Sequence, residues 1–267
     1  MVSKNSHTLF IKGKIIEQKH LENDYYEMTI EAPKIAEIAR PGQFVMLSKW
    51  KIKELLLKRP FSFFQIDSRK GRFGILYKKV GKGTEILSES RVDEEVELIG
   101  PLGNGFYIPK NTHKIAIVAR GIGIAPIMPL IQESRKKGIE IYSFLSAKEK
   151  ALLLCDDKLE SFSNNVFYTT DDGSRGVKGN VTCFLEKLLE EKVIEIDAVF
   201  TCGSRRLARH IKELQKKHHF YAYISLEECM GCGIGSCKGC VVQTKYGYQR
   251  VCKEGPVFPL EEVVLDE

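Results

Sequence analysis

The sequence predicts a multi-domain α+β protein with three parts: an antiparallel β-barrel, an α/β unit built on a parallel sheet, and a small cysteine-rich unit. Three observations support this. Short apolar segments separated by turn residues fill the first part, strand-like and helix-like segments alternate in the middle, and cysteines crowd the last part. With 267 residues, and about 150 residues per domain as a guide, two to three domains fit. We place the parts at 1–109, 110–222 and 223–267.

The first part is predicted to be a small antiparallel barrel. Strands at such regular spacing are typical of barrels and sandwiches. The only helical signal in this part is a possible helical turn near residues 84–88. The segment 101–106, PLGNGF, has the glycine and proline content of a turn and closes the series of strands. The predicted strands are LFIKGKIIEQ, YYEMTIEAP, GQFVMLS, PFSFFQI, FGILYKKV and EEVELIG.

The second part is predicted to be a parallel sheet covered by helices, because strand and helix patterns alternate along it. Such sheets bind ligands at the carboxyl ends of their strands. The predicted strands are KIAIVA, IEIYSFLS, NVFYTT and DAVFTCG. The predicted helices are APIMPLIQESRKKG, KALLLCDDKLESF, NVTCFLEKLLEEK and SRRLARHIKELQKK.

Composition and charge exclude several classes of protein. Hydrophobic residues make up 43% and charged residues 28% of the chain, as in ordinary globular proteins, so wholesale disorder is excluded. The 41 basic and 35 acidic residues are intermixed, so the net charge of +6 does not favour nucleic-acid binding. The most apolar stretch, 115–131, contains an arginine and two prolines and falls short of the roughly 20 apolar residues that span a membrane.

The amino terminus predicts no export signal. It carries Lys4, His7, Lys12 and Lys14 with no apolar segment behind them. We therefore expect a cytoplasmic protein.

Five of the eight cysteines lie within 24 residues of the last part. Cys232, Cys237 and Cys240 form C-x4-C-x2-C, and Cys252 follows after eleven residues. This is the spacing with which plant-type ferredoxins hold a [2Fe-2S] cluster. Glycines alternate with these cysteines, as a backbone that curls around inorganic sulfide requires. The spacing predicts an iron–sulfur domain that is too small to form a core alone.

A structural zinc site is the alternative interpretation of these cysteines. Zinc sites also use four thiolates, but usually as two C-x2-C pairs, and this segment contains one such pair, at Cys237 and Cys240. The pattern therefore favours the cluster. Cys229 precedes the first predicted ligand by three residues and is predicted to be a loop cysteine that is not a ligand.

Two barrel segments are candidates for binding a diphosphate. The segment 59–62, RPFS, opens a strand with an arginine, whose guanidinium can bind phosphate oxygens in pairs. The segment 81–84, GKGT, precedes a helical turn whose backbone N–H groups can bind the same anion. Each segment alone has an ordinary interpretation, a surface arginine or a helix cap. Together they predict a binding site for a bulky dinucleotide.

Two further segments mark the ligand edge of the parallel sheet. Gly121 and Gly123 lie in GIGIAP, a strand-to-helix turn that lacks the full G-x-G-x-x-G pattern and could be a plain tight connection. Cys202 and Gly203 end a later strand, which places the thiol at the same edge. The thiol could equally be a small buried apolar group. No Ser/His/Asp set or paired carboxylates stand out, so no catalytic residue is predicted.

Together these motifs resemble the ferredoxin reductase superfamily, in which a flavin-binding barrel precedes a nicotinamide-binding α/β domain. RPFS and GKGT are similar to its FAD motifs, and GIGIAP with the later Cys-Gly pair is similar to its nicotinamide motifs. Three longer segments, PLGNGF, TDDGSRGVKGNVT (170–182) and SLEECMGCGIGSCKGC (225–240), narrow the likeness to the electron-transfer subunits of class B dihydroorotate dehydrogenases. The resemblance covers nearly the whole chain.

The resemblance implies the cofactors, the partner and the site residues. It implies FAD and a [2Fe-2S] cluster as cofactors, NAD as substrate, and an FMN-containing dihydroorotate dehydrogenase catalytic subunit as partner in a heterotetramer of two plus two, in pyrimidine (UMP) biosynthesis. It places the cluster on Cys232, Cys237, Cys240 and Cys252. It places FAD on Arg59, Pro60, Phe61, Ser62, Leu76, Tyr77, Lys78, Gly83 and Thr84, and the nicotinamide on Gly121, Gly123, Cys202 and Gly203.

Two residues depart from the family pattern, both at the nicotinamide end. Arg120 stands where a further glycine is usual, and Ser204 where a proline is usual. A cation at Arg120 either crowds the nicotinamide or attracts a phosphate, so the choice between NAD and NADP stays open. Two other functions also stay open: a self-standing NAD(P)H reductase that feeds a ferredoxin or an oxygenase, and a redox-inert nucleotide-binding module stabilised by zinc.

Overall fold

The computed structural model describes residues 8–50 and 55–265. Lys4 and His7, on which the expectation about export partly rests, lie outside these residues. No helix in the described part of the chain is long and apolar enough to cross a membrane.

The first part forms a seven-stranded antiparallel sheet that curls into a half-barrel. Its strand order is β4-β3-β7-β1-β2-β6-β5. Its interior is filled by large apolar side chains, among them Phe63, Phe73 and Ile75. The strands are β1 Leu9–His20, β2 Tyr25–Glu31, β3 Phe44–Ser48, β4 Arg59–Ser62, β5 Gln65–Asp67, β6 Arg72–Lys78 and β7 Glu95–Leu102, with helices α1 Pro33–Ile38 and α2 Lys82–Ser88.

The prediction of one strand over PFSFFQI is wrong, because the chain turns a corner there. The backbone N–H of Phe63 donates to the carbonyl of Gln43, at the β3 side, whereas the N–H of Phe64 donates to the carbonyl of Gly74 in β6. Both phenyl rings are fully buried. Two consecutive residues therefore bond to strands at opposite ends of the sheet order, which closes this side of the half-barrel. Helix α1 was not predicted.

The second part forms a sheet in the order β11-β10-β9-β8-β12-β13-β16. Its strands β8 to β13 pair in parallel. The order reverses between β8 and β12, which is the switch point where open α/β sheets bind ligands. The strands are β8 Lys114–Arg120, β9 Glu140–Ala147, β10 Asn165–Thr170, β11 Val177–Lys178, β12 Ala198–Cys202 and β13 Tyr221–Ser225, and the helices are α3 Met128–Lys136, α4 Asp156–Phe162, α5 Val181–Glu190 and α6 Arg205–His218.

Two predicted helices are shorter in the structure. A 3-10 turn, Gly121–Ile124, precedes the predicted helix 125–138, of which α3 covers only Met128–Lys136. The segment 150–162 is divided into a 3-10 turn and α4, because Cys155 between them has φ +68°, a left-handed conformation that interrupts a helix.

The last part consists of a hairpin and a strand that returns to the second sheet. Strands β14 Val241–Thr244 and β15 Gly247–Arg250 form a hairpin, and β16 Val257–Pro259 pairs with β13. The apolar residues of this part, such as Val251 and Leu260, share one core with the α/β unit. This shared core supplies the burial that so small a segment lacks alone.

Candidate functional site

The two predicted phosphate-binding segments meet at one end of the half-barrel. Arg59 lies at the start of β4, and its guanidinium stacks on the ring of Trp50 at 5.6 Å. A Cβ on Gly83, in the first turn of α2, would lie 3.4 Å from Nε of Arg59 and 3.3 Å from the Trp50 ring. The absence of a side chain at Gly83 thus lets α2 approach the arginine closely.

Thr84 has a structural role that the sequence left open. Its hydroxyl accepts hydrogen bonds from the backbone N–H groups of Val80 (2.9 Å) and Gly81 (3.2 Å) and donates to the carbonyl of Gly81 (2.9 Å). The side chain therefore holds the turn before α2. The helix-cap interpretation applies to Thr84, while Gly83 packs against Trp50 and Arg59.

The other predicted FAD residues divide between two faces. Phe61 and Tyr77 point into the half-barrel, where their rings meet edge to face at 5.7 Å. Burial raises the pKa of the Tyr77 phenol, which accepts a hydrogen bond of 2.9 Å from Gln18. Leu76 packs on the α/β unit. Pro60 and Ser62 remain partly exposed, and Lys78, whose ammonium lies 5.2 Å from the Tyr25 ring, is exposed.

The exposed groups of this barrel end suit a dinucleotide with a diphosphate. Arg59 and Lys78 bring positive charge and Ser62 brings a hydroxyl, while the buried Gly83 lets the start of α2 lie against Arg59. Cations, hydroxyls and backbone N–H groups are the donors that bind phosphate oxygens. The residues present therefore fit the FAD that the sequence motifs predict.

Replacing Arg59 by alanine is expected to weaken FAD binding about 10- to 100-fold. The estimate assumes the loss of charge-assisted hydrogen bonds to phosphate, worth about 1.5–3 kcal/mol. The FAD-to-protein ratio after gel filtration measures the effect. Arg69→Ala, an exposed arginine on the same half-barrel, is the control. Full FAD retention in Arg59→Ala would disprove the assignment of the barrel motif.

The four predicted nicotinamide residues come together at the switch point of the second sheet. Cys202 pairs with Ala119 across β12 and β8, which sets Gly203 beside Arg120. A Cβ on Gly123 would lie 2.5 Å from the carbonyl oxygen of Cys202. Gly203 has φ +140° and Gly121 has φ +52°, so the backbone path favours glycine at both ends of the crevice, most strongly at Gly203.

The Cys202 thiol is buried and neutral. Burial raises its pKa well above the usual range, and the nearby Glu227 carboxylate adds to the effect. Only 1% of the residue is exposed. A neutral, enclosed thiol is a poor nucleophile, so its contribution is to shape the floor of the crevice.

The four predicted cluster ligands form two pairs. The backbone N–H of Cys237 donates to Sγ of Cys232 at 3.4 Å, and the N–H of Cys252 donates to Sγ of Cys240 at 3.4 Å. All four thiols are free of disulfides. Two thiols for each of two irons is the arrangement that a [2Fe-2S] cluster needs.

The electrostatics of the ligand loop favour a bound cation or cluster. Burial acts to raise the pKa of the Cys232 thiol, but the N–H groups of Cys237, Ile234 and Ser236 outweigh burial and bring the pKa to about 6. Thiolates are the form that binds metal. A loop that stabilises thiolates therefore suits the cluster that the cysteine spacing predicts.

The ligand loop is anchored within its own unit and against the half-barrel. Arg250 donates from Nη1 to the carbonyl of Gly235 at 2.8 Å and is itself held by Glu254. A Cβ on Gly233 would lie 2.4 Å from Cγ of Met46, so this loop lies directly on β3 of the half-barrel. The predicted cluster site is thus held beside the half-barrel. Cys229 is exposed and belongs to neither ligand pair.

Three further contacts were missed by sequence reasoning, because each joins residues more than 50 positions apart. Arg120 binds Asp171 with two hydrogen bonds, 3.2 and 2.7 Å long. The Lys158 ammonium binds both oxygens of the buried Glu27 carboxylate at 2.9 and 2.8 Å, which joins α4 to the half-barrel. Phe106 packs edge to face on Phe200 at 5.6 Å. No local pattern signals such pairs.

Known proteins resemble this chain in sequence along most of its length. The family model described as the iron-sulfur cluster binding domain of dihydroorotate dehydrogenase B matches residues 227–264. The dihydroorotate dehydrogenase B (NAD(+)) electron transfer subunit of Desulforamulus reducens is 37% identical over 91% of this chain and 94% of the relative. The subunit of the same name from Clostridium acetobutylicum is 37% identical over 95% of this chain and 97% of the relative.

Solved structures share the fold. A chain of an NADH-dependent reduced ferredoxin-NADP oxidoreductase, from work on flavin-based electron bifurcation, has a TM-score of 0.85 and 28% identity, covering 95% of this chain and 90% of the other. A ferredoxin NADP+ reductase from Neisseria gonorrhoeae has a TM-score of 0.66 and 17% identity, covering 80% of this chain and 92% of the other. At this identity, the similarity to the Neisseria gonorrhoeae reductase supports only a shared fold.

Proposed function

Because the chain belongs to the family of dihydroorotate dehydrogenase B electron transfer subunits, we propose that it carries electrons between NAD and a catalytic subunit in pyrimidine biosynthesis. Its cofactors are FAD and a [2Fe-2S] cluster, and NAD is its substrate. The observation that carries the proposal is that the loop holding the cluster thiols packs, at Gly233, on Met46 of β3 in the half-barrel, because a relay needs its centres close together.

Each part of the chain contributes a separate task. When bound, FAD exchanges a hydride with the nicotinamide and the cluster transfers single electrons, so these groups supply the redox chemistry. Arg59 and Gly83 hold the diphosphate end of the flavin nucleotide, while Gly121, Gly123 and Gly203 leave the sheet edge open to the nicotinamide. The backbone N–H groups of Cys237 and Cys252 donate to the ligand sulfurs and stabilise their negative charge.

The partner is a dihydroorotate dehydrogenase catalytic subunit. We propose that this partner contains FMN and that two copies of each subunit form a heterotetramer. The surface around the ligand loop supports a contact there, because Ile234, Tyr246 and Tyr248 expose 47%, 65% and 76% of their surfaces. Exposed aromatic residues are enriched at protein interfaces.

We also propose the functional units 1–109, 110–222 and 223–267, with the last one completing β13 before it enters the ligand loop. A cytoplasmic location is part of the proposal, supported by eight cysteines without a disulfide.

The proposed function predicts that the purified chain reduces artificial dyes with NADH but does not oxidise dihydroorotate alone. The physical reason is that the described residues present no acid–base pair at the sites above that could take a proton from a substrate carbon. Adding the catalytic subunit is expected to give a stable complex and NAD-linked dihydroorotate oxidation, measured by absorbance at the NADH band. If the reduced protein instead passed its electrons to a ferredoxin and formed no complex with the catalytic subunit, it would be a self-standing reductase.

A further inference from the structure

Four charged residues follow four neighbouring strands at the carboxyl edge of the second sheet. Asp171 follows β10, Lys148 follows β9, Arg120 ends β8, and Arg206 lies in the first turn of α6, just after β12. In the sheet order these strands are adjacent. The four side chains therefore line the edge on both sides of the switch point, where a dinucleotide binds in α/β sheets of this kind.

The Arg120 side chain extends along this edge. Arg120 pairs with Ser146 of β9 in the strand register, and the N–H of Asp171 donates to the carbonyl of Ala147 at 3.1 Å. The Arg120 guanidinium reaches past the end of β9 and binds both carboxylate oxygens of Asp171. A Cβ on Gly203 would lie 3.3 Å from Cβ of Arg120, so the arginine also borders the crevice between β8 and β12.

Positive charge exceeds negative charge in this cluster. The hydrogen bond from Arg120 lowers the pKa of the Asp171 carboxyl, and the charges of Arg206 and Lys148 act in the same direction, so Asp171 is ionised at neutral pH. Three cations against one anion leave an excess of two positive charges. Arg206 also stands at the amino end of α6, where a helix favours anions and disfavours cations. A bound dianion would compensate both unfavourable features.

We propose that Arg120, with Lys148 and Arg206, binds the diphosphate of the nicotinamide dinucleotide, and that Asp171 orients the Arg120 guanidinium for this contact. The proposal rests on the proposed use of NAD as substrate. Asp171 engages Nη1 and Nη2, and a guanidinium carries five N–H groups, so donors remain for a phosphate oxygen. Arg120 is thus a substrate-binding residue, and Asp171 is a positioning residue.

The test compares binding and turnover in the holoprotein with FAD and cluster in place. Titration calorimetry with ADP, which has the diphosphate but neither nicotinamide nor 2′-phosphate, measures the contact directly. Arg120→Ala is expected to weaken ADP binding about 10- to 100-fold and to raise KM for NADH in proportion, with kcat changed by less than about twofold. Arg120→Lys keeps the charge and is expected to recover part of the affinity. Arg209→Ala, an exposed arginine further along α6, is the matched control.

Asp171→Asn separates a binding role from a structural one. The asparagine keeps an acceptor for Arg120 but removes a negative charge, so ADP is expected to bind about three- to fivefold more tightly. A structural role for the pair would make Asp171→Asn and Arg120→Ala weaken ADP binding alike, and that result would overturn the proposal. If Arg120→Ala weakened only the binding of 2′-AMP and the use of NADPH, and left ADP binding unchanged, the diphosphate assignment would be overturned. Failure of the wild-type protein to bind ADP or NADH would instead refute the proposed nicotinamide site itself.

Discussion

Serine in place of Cys232, Cys237, Cys240 or Cys252 is expected to remove the cluster and stop electron delivery to the catalytic subunit. Each substitution breaks one of the two thiol pairs, and serine binds iron poorly because the soft sulfur ligand is gone. Iron content should fall from about two per chain toward zero. The rate of transfer to the catalytic subunit should fall at least about 100-fold, while NADH-driven dye reduction through FAD stays near the wild-type rate.

The controls for this prediction lie in the same chain. Cys229→Ser changes a neighbouring exposed cysteine outside both pairs, and Cys183→Ser changes an exposed cysteine on α5. Both variants are expected to keep the visible spectrum and iron content of the wild type. If Cys229→Ser bleaches the cluster and Cys232→Ser does not, the ligand assignment is wrong. Retained dye reduction shows that the larger units have folded.

Alanine in place of Gly123 is expected to reduce the rate of flavin reduction by NADH about 100-fold. The new Cβ would lie 2.5 Å from the carbonyl oxygen of Cys202 and 3.2 Å from the backbone nitrogen of Gly203, so the two sides of the crevice must separate. A displacement of about 1 Å between reacting groups can cost a factor of this size. Stopped-flow absorbance of the flavin measures the rate.

Gly121→Ala is the comparison within the same turn. No atom lies within 4 Å of its added Cβ, but its φ of +52° makes any side chain unfavourable by about 1–2 kcal/mol. We expect a modest loss of stability and a rate within about tenfold of the wild type. FAD and iron content should be normal in both variants. Equal rates for Gly123→Ala and the wild type would show that the nicotinamide binds elsewhere.

The elements that the sequence predicted well are those with a strong local pattern. The strand over 114–119 and the helix over 204–217 agree with β8 and α6 to within one or two residues, because each has a clear apolar period and end signals. The assignment of the four cluster cysteines rests on spacing alone and stays a prediction, to which the two N–H···S pairs lend support. Where the local apolar pattern was strong, the sequence predicted the type and the bounds of the element correctly.

The missed features depend on contacts between distant segments. The corner at Phe63 and Phe64 looks like continuous strand, because apolar β-forming residues continue through it, and only pairing with β3 and β6 reveals the turn. The Arg120–Asp171 pair joins residues 51 positions apart, so no spacing rule could find it. Thr84 has the right residue type for binding phosphate, yet local hydrogen bonds engage its hydroxyl.

The order of the relay can be tested most directly by mixing the isolated protein with NADH without oxygen and following flavin absorbance and the electron paramagnetic resonance of the reduced cluster together. We expect the wild-type protein to reduce its cluster only after the flavin, and Arg59→Ala stripped of FAD to show no cluster reduction until FAD is added back. Cluster reduction by NADH in the FAD-free protein, or flavin reduction in the wild type with no electron reaching the cluster, would contradict a path from the nicotinamide through FAD to the cluster.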